Sequence, residues 1–163
     1  MAIFALTHSE HPMKVLVVCL GNICRSPIAE GLLQKRAEAA GLAWEIDSAG
    51  TGSWHVGESP DKRSIQICQE FGLDISHQRA RQVNRHDFQY FDVLIAMDDS
   101  NYSNLHKLAP EGSDDKIVRM MDFVPDGQDG EVPDPYYDGR FLEVYQLLDR
   151  ATESFIEKML DQG

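Results

Sequence analysis

Val15-Leu16-Val17-Val18 reads as a buried strand running into Cys19, and Ser26-Pro27, seven residues on, reads as a helix N-cap followed by proline at the first helical position. A chain that goes from strand to helix through so short a loop is built for an α/β arrangement. The loop has to turn tightly, and Gly21 and Asn22 are residue types that tolerate positive φ. Backbone N–H groups in such a loop, with the unpaired ones of the helix's first turn, converge where the helix dipole favours an anion. Leu20, Gly21, Asn22, Ile23, Cys24 and Arg25 are therefore a candidate phosphate cradle, with Cys19 at its floor.

Strand and helix signals keep alternating along the chain, which predicts a single-domain, doubly wound, four-stranded parallel sheet with helices on both faces and the phosphate loop after strand 1. Strands are expected at 15–19, 43–47, 93–97 and 116–120. Helices are expected at 26–40, 61–71, 100–107 and 140–160. The first should bury Ala29, Leu33, Ala37 and Ala40, and the last an apolar face of Phe141, Val144, Tyr145, Leu148, Phe155, Ile156 and Met159. Residues 78–85 read as connecting loop, and 124–139, rich in Pro, Gly and Asp, as a long loop. Parallel sheets bind ligands beyond the carboxyl ends of their strands, and loops longer than about 12 residues are usually functional or disordered. Cys19 and the 124–139 loop are thus the two places to look for chemistry.

A thiol becomes a good nucleophile when a helix N-terminus and a nearby arginine pull its pKa from ~8.5 toward ~3.5–7.5. Cys19 has both neighbours in sequence, and the Ser26 hydroxyl can add a hydrogen bond to the thiolate. Arg25 supplies a planar fork that grips two phosphoryl oxygens at once. Expelling a phenolate from phosphorus also calls for a carboxylic acid opposite the thiol. Asp134 stands between Pro133 and Pro135, which restrict its backbone, but Asp126, Asp129 and Asp138 share the loop and each also reads as a solvated turn residue.

Cys19 to Pro27 with Ile28-Ala29-Glu30 resembles the phosphate loop of the low-molecular-weight protein tyrosine phosphatases. The resemblance continues through Asp47-Ser48-Ala49-Gly50, Ser76-His77 with Arg79-Ala80-Arg81, Met97-Asp98-Asp99-Ser100-Asn101 and Asp134-Pro135-Tyr136-Tyr137-Asp138, and so spans most of residues 14–160. It implies metal-free and cofactor-free hydrolysis of phosphotyrosine through a Cys19 phosphoenzyme, with Asp134 first as general acid and then as the base that activates water. It further implies that Tyr136 and Tyr137 form one wall of the substrate slot and Trp54 the other. Ser48, His77 and Asn22 would hold the loop in shape, and Asp98 would organise the region. Cys24 would form a reversible disulfide that protects Cys19 from over-oxidation. Cys68 reads as core, and two thiols without further Cys or nearby His do not make a zinc site. Arsenate reductases of this fold need further redox cysteines, and none follows Cys68; protein-arginine phosphatases carry Thr where Ile23 stands. A non-catalytic phosphotyrosine-binding module would gain little from Cys19, Arg25 and Asp134 together.

At 163 residues one domain is expected, over 13–163, with residues 1–12 as an extension ahead of Met13. A net charge of −12 argues against nucleic acid, which requires clustered Lys and Arg. The charge is unevenly placed: residues 111–138 hold nine acids against two bases, and 61–86 five bases against three acids, so a local cradle can prevail over distant acids at a screening length of ~8 Å. No apolar run approaches the ~20 residues that span a bilayer. Three cysteines, an odd number, and no typical secretory signal lead to the expectation of a cytoplasmic protein, a monomer or weak dimer acting on phosphotyrosine-containing proteins.

Overall fold

The computed structural model describes residues 12–124 and 130–162, so the expected N-terminal extension apart from Pro12, together with Asp126 and Asp129, lies outside the described residues. Strand β1 (Lys14–Cys19) forms the middle of the sheet. It pairs in parallel with β2 (Glu45–Gly50) on one side, Cys19 opposite Gly50, and with β3 (Val93–Ala96) on the other, Val18 opposite Ala96. Strand β4 (Ile117–Arg119) extends the sheet beyond β3, giving the order β2-β1-β3-β4. The expected four-stranded parallel sheet is therefore present. Val15 to Cys19 is buried on both faces, which is why that run is continuously apolar rather than alternating.

Val15, Val17 and Ile95 face a core built with α1 (Arg25–Ala39), α2 (Lys62–Glu70) and α6 (Phe141–Gln162). Leu16, Val18, Leu94 and Ala96 face a second core closed by Phe88 of α3 (Asp87–Tyr90) and Leu105 of α4 (Asp99–Leu108). Helices thus cover both faces. The apolar face expected on the last helix, from Phe141 to Met159, is buried throughout. Among the described residues no helix is long and apolar enough to cross a membrane.

Several local expectations are corrected. Helix α1 starts at Arg25 with Cys24 at the N-cap and no side-chain cap, so Ser26 and Pro27 sit inside the first turn. The Ser26 hydroxyl is engaged instead by Cys19 and Asn22. Residues Arg25 to Leu33 are all buried and Ala40 is exposed, so α1 is enclosed on every side at its start rather than amphipathic along its length. Its Gly31 makes room for the chain: an added Cβ would lie 2.7 Å from Cγ2 of Ile75. Strand β2 runs to Gly50 because its register with β1 continues through Ser48 and Ala49, residues whose small side chains look like loop in sequence. Helix α3 was not expected. It starts where Asn84 and Asp87 exchange backbone-to-side-chain hydrogen bonds of 2.8 and 3.2 Å. The 78–85 segment is not wholly free loop, for Gln82 bridges Gly50. A one-turn helix α5 (Pro135–Asp138) interrupts the long loop and ends on Gly139 at φ 78°.

Strand order reverses between β1 and β3, the position where parallel sheets open a crevice. Cys19 ends β1 and Met97-Asp98 follow β3, so the phosphate loop and the start of α4 meet there.

Candidate active site

A cavity of about 370 Å³ opens beyond β1. Cys19, Cys24 and Arg25 line it together with Trp54, His55, Asp134, Tyr136 and Tyr137. The loop between Cys19 and Arg25 is held in an uncommon shape, with Asn22 at φ 58°. Such a conformation costs an L-residue roughly 1–2 kcal/mol, so neighbours must hold it. The Asn22 side chain lies under the loop and secures it. Its Nδ2 donates to Ser26 Oγ at 2.8 Å and to Ser48 Oγ at 2.9 Å, while its Oδ1 accepts from the Arg81 backbone N–H at 3.0 Å. Ser48 in turn donates to Glu30 Oε1 at 2.6 Å.

Ser26 Oγ accepts from Asn22 and lies 3.0 Å from Cys19 Sγ; when Cys19 is a thiolate, which can only accept, the Ser26 proton is free to point at it. From outside, Thr51 and Gly52 donate backbone N–H groups to the Cys19 and Leu20 carbonyls at 2.9 Å each, and Asp61 donates to the Ile23 carbonyl at 2.8 Å. Gly50 allows this approach, because a Cβ there would lie 2.7 Å from the Leu20 carbonyl oxygen.

Arg25 is almost wholly buried. Its Nη1 donates to Asp98 Oδ2 at 2.7 Å and to the Val132 carbonyl at 3.0 Å. Val132 is itself tied to the residue just after β3 through a 2.8 Å bond from its N–H to the Met97 carbonyl. One end of the guanidinium is thus anchored, and Nη2 lies 3.7 Å from Asp134 Oδ2. Burial disfavours the guanidinium's charge, but Cys19, Asp98 and Asp134 outweigh it and raise its pKa above the ordinary value. Asp98 has a second task, since its Oδ1 caps α4 by accepting from Asn101 N–H at 2.7 Å. Asp134 caps α5 in the same way, Oδ1 accepting from Tyr136 N–H at 3.1 Å, which leaves Oδ2 facing the cavity and Arg25.

The aromatic residues stand at the mouth. Trp54 is 71% exposed and Tyr137 91%, so neither is held there by burial. Gly52 lies directly beneath the indole, where a Cβ would collide with the ring. Tyr136 and Tyr137 pack edge to face, with centroids 4.9 Å apart.

Two cysteine thiols, Cys24 and Cys68, are pushed up to about 12, chiefly by burial. For Cys24 the nearby Asp61, Cys19 and Asp134 charges add to the effect. Glu30, also buried, is raised to about 7 by desolvation, with Asp47 adding and the Ser48 and Gln34 hydrogen bonds opposing.

His77 is not brought to the loop. It is exposed, and its neighbour Gln78 is the buried residue, donating from Nε2 to the Pro27 carbonyl at 3.0 Å. The sequence match placed the inward side chain one residue early, because 76–82 has no periodicity to set its facing. Glu30 and His55 were also missed. Glu30 lies on a helix expected to be half-solvated, and His55 reaches the cavity through a bend, its Nδ1 3.1 Å from Glu58 Oε1. Among the described residues, no three His, Cys, Asp or Glu side chains converge as metal ligands.

The family model described as low molecular weight phosphotyrosine protein phosphatase matches residues 14–163. A low molecular weight protein-tyrosine-phosphatase of Bacillus subtilis, YfkJ, is 42% identical over 146 residues, covering 88% of this chain and 94% of that protein. A low molecular weight phosphotyrosine protein phosphatase of Schizosaccharomyces pombe is 40% identical over 152 residues, covering 90% and 97%. The crystal structure of a protein tyrosine phosphatase from Entamoeba histolytica with Hepes in its active site superposes with a TM-score of 0.87 at 40% identity, covering 91% of this chain and 97% of that one. With the family model matched over residues 14–163 and relatives about 40% identical over nearly their full length, this chain belongs to the low molecular weight phosphotyrosine protein phosphatase family.

Proposed function

We propose that this chain hydrolyses phosphotyrosine in proteins through a cysteinyl-phosphate intermediate. The observation that carries the reading is the convergence of Cys19, Arg25 and Asp134 on one cavity, with Arg25 tied back through Nη1 and its other end facing Asp134. Cys19 Sγ attacks phosphorus as the tyrosyl oxygen leaves. Arg25 and the amides of Leu20 to Arg25 hold the phosphoryl oxygens, acting as preorganised donors aimed at the charge that develops. Asp134, protonated, gives its proton to the departing oxygen, then as a carboxylate takes one from the water that cleaves the S–P bond.

Ser26, Ser48, Asn22 and Asp98 act as supports, and Trp54, Tyr136 and Tyr137 as walls for a flat aryl phosphate. Cys24 is the resolving thiol if Cys19 is oxidised to a sulfenic acid, forming a disulfide that a thiol reductant reopens. All three cysteines are unpaired, which supports residence in a reducing compartment such as the cytoplasm.

The test is turnover of phosphotyrosine, phosphoserine and phosphoarginine peptides side by side, without added metal and with chelator present. Phosphotyrosine should be strongly preferred, chelator should have no effect, and Cys19→Ser should lose all measurable turnover. Preference for phosphoarginine, or activity surviving in Cys19→Ser, would contradict the reading.

A further inference from the structure

Arg63 has no part in the chemistry just described, yet it links Asp61, which is bonded to the phosphate loop, with Tyr136, the neighbour of Asp134. It lies on α2, and its guanidinium makes a two-pronged pair with Asp61, Nε to Oδ1 and Nη2 to Oδ2, both at 3.0 Å. Asp61 is fixed on the phosphate-loop side, because its backbone N–H donates to the Ile23 carbonyl at 2.8 Å and its carboxylate caps α2. On the opposite face, the same guanidinium lies over the rings of Tyr136, 5.5 Å from the centroid, and Phe141, 4.6 Å from the centroid. Tyr136 is bonded through its N–H to Asp134 Oδ1. A continuous chain of contacts therefore runs from the phosphate loop through Asp61, Arg63 and Tyr136 to the carboxyl of Asp134.

We propose that Arg63 is a positioning residue for the general acid, a bracket that sets Asp134 and the Tyr136 wall at a fixed height above the phosphate loop. The inference rests on the acid role given to Asp134. Helix α5 is a single turn, too short to hold its own orientation, and Asp134 is its cap. The acid therefore goes where Tyr136 goes. A planar cation suits the bracket, since it can pair with a carboxylate along its edge while its faces pack on rings. Phe141 begins α6, so the bracket is also tied to the main core.

The reaction step affected is the transfer of the Asp134 proton to the aryl oxygen as the P–O bond breaks and the S–P bond forms. This step matters most when the leaving phenol is strongly basic. kcat/KM, which reports on events up to leaving-group departure, is therefore measured for phenyl phosphate and p-nitrophenyl phosphate in wild type, Asp134→Ala, Arg63→Ala and the double variant. Arg63→Ala is expected to lower kcat/KM about tenfold for phenyl phosphate and less than ~threefold for p-nitrophenyl phosphate, part of the ~10²–10⁴ that a general acid contributes. In the Asp134→Ala background it should change either value by no more than ~twofold, because the group it positions is gone. Arg63→Lys, which keeps the charge but lacks the planar fork that pairs with Asp61 and packs on the rings, should recover only a minor part of the loss.

Equal losses on the two substrates, or the same loss with and without Asp134, would overturn the bracket while leaving the phosphatase reading intact. An Asp134→Ala variant that treats both substrates like wild type would instead remove the acid assignment itself, and the bracket with it.

Discussion

Glu30 shows how one side chain ties stability to the site. Burial lifts its pKa from 4.5 to about 7, so between those pH values the folded chain keeps a proton that the unfolded chain releases. Folding is then favoured on the acid side, loses stability as pH rises through that window, and carries the full penalty above about 7. Glu30→Gln removes the titration but keeps an oxygen for the Ser48 hydroxyl. Relative to wild type, its unfolding free energy should rise between about pH 4.5 and about 7.5, by up to ~3 kcal/mol at 1.36 kcal/mol per pKa unit. A wild-type-to-variant difference in urea unfolding that stays flat with pH would contradict it. At the centre, Cys19 and Arg25 line one cavity and Ser26 Oγ lies beside the Cys19 sulfur, a neighbourhood legible from residue type and spacing, whereas Asp134 was distinguished from the other aspartates of its loop only by the family resemblance. Glu30 and Gln78 were not legible, because a buried polar side chain that supports a site looks in sequence like one that faces water. Only packing distinguishes the two.

At the level of elements, strands and long helices were readable where apolar runs or a broad apolar face mark them, as in β1, β3 and α6. Elements held by pairing or capping were not. β2 extends three residues further than expected because the edge of β1 dictates it, and its small terminal residues serve the loop rather than the strand. Gly50 is the test of that reading. In Gly50→Ala the new Cβ would meet backbone, 2.7 Å from the Leu20 carbonyl oxygen and 3.1 Å from the Gly21 carbonyl carbon, neither of which can swing aside. The loop must shift, and kcat/KM should fall on the order of 100-fold, the usual penalty for misplacing reacting groups by about an ångström. Gly41→Ala is the matched control. There φ is 71° and nothing lies within 4 Å of the new Cβ, so about 1–2 kcal/mol of stability should be lost with activity intact. Equal activity losses in the two variants would show that Gly50 has no special bearing on the loop.

Over the whole molecule, the sheet order does what no single element can. Passing from β2 across β1 to β3 brings the phosphate loop, the Asp98 cap and the Val132 carbonyl to one crevice, although Arg25 and Val132 are 107 residues apart in sequence. That long-range closure explains why an acidic chain can still hold an anion: a buried guanidinium and aligned amides act over a few ångströms, while most surface carboxylates are screened. It also explains what was hidden from sequence, since Trp54 and His55 reach the cavity from a segment outside the helices and strands, whose facing is set only when the sheet is formed. The proposed reaction depends above all on a covalent phosphate at one sulfur. Rapid acid quenching during turnover of a phosphotyrosine peptide, followed by peptide mapping, tests this most directly. Phosphate on the peptide bearing Cys19, absent in Cys19→Ser, is the predicted result; turnover with no phosphoenzyme, or with phosphate on any other residue, would contradict it.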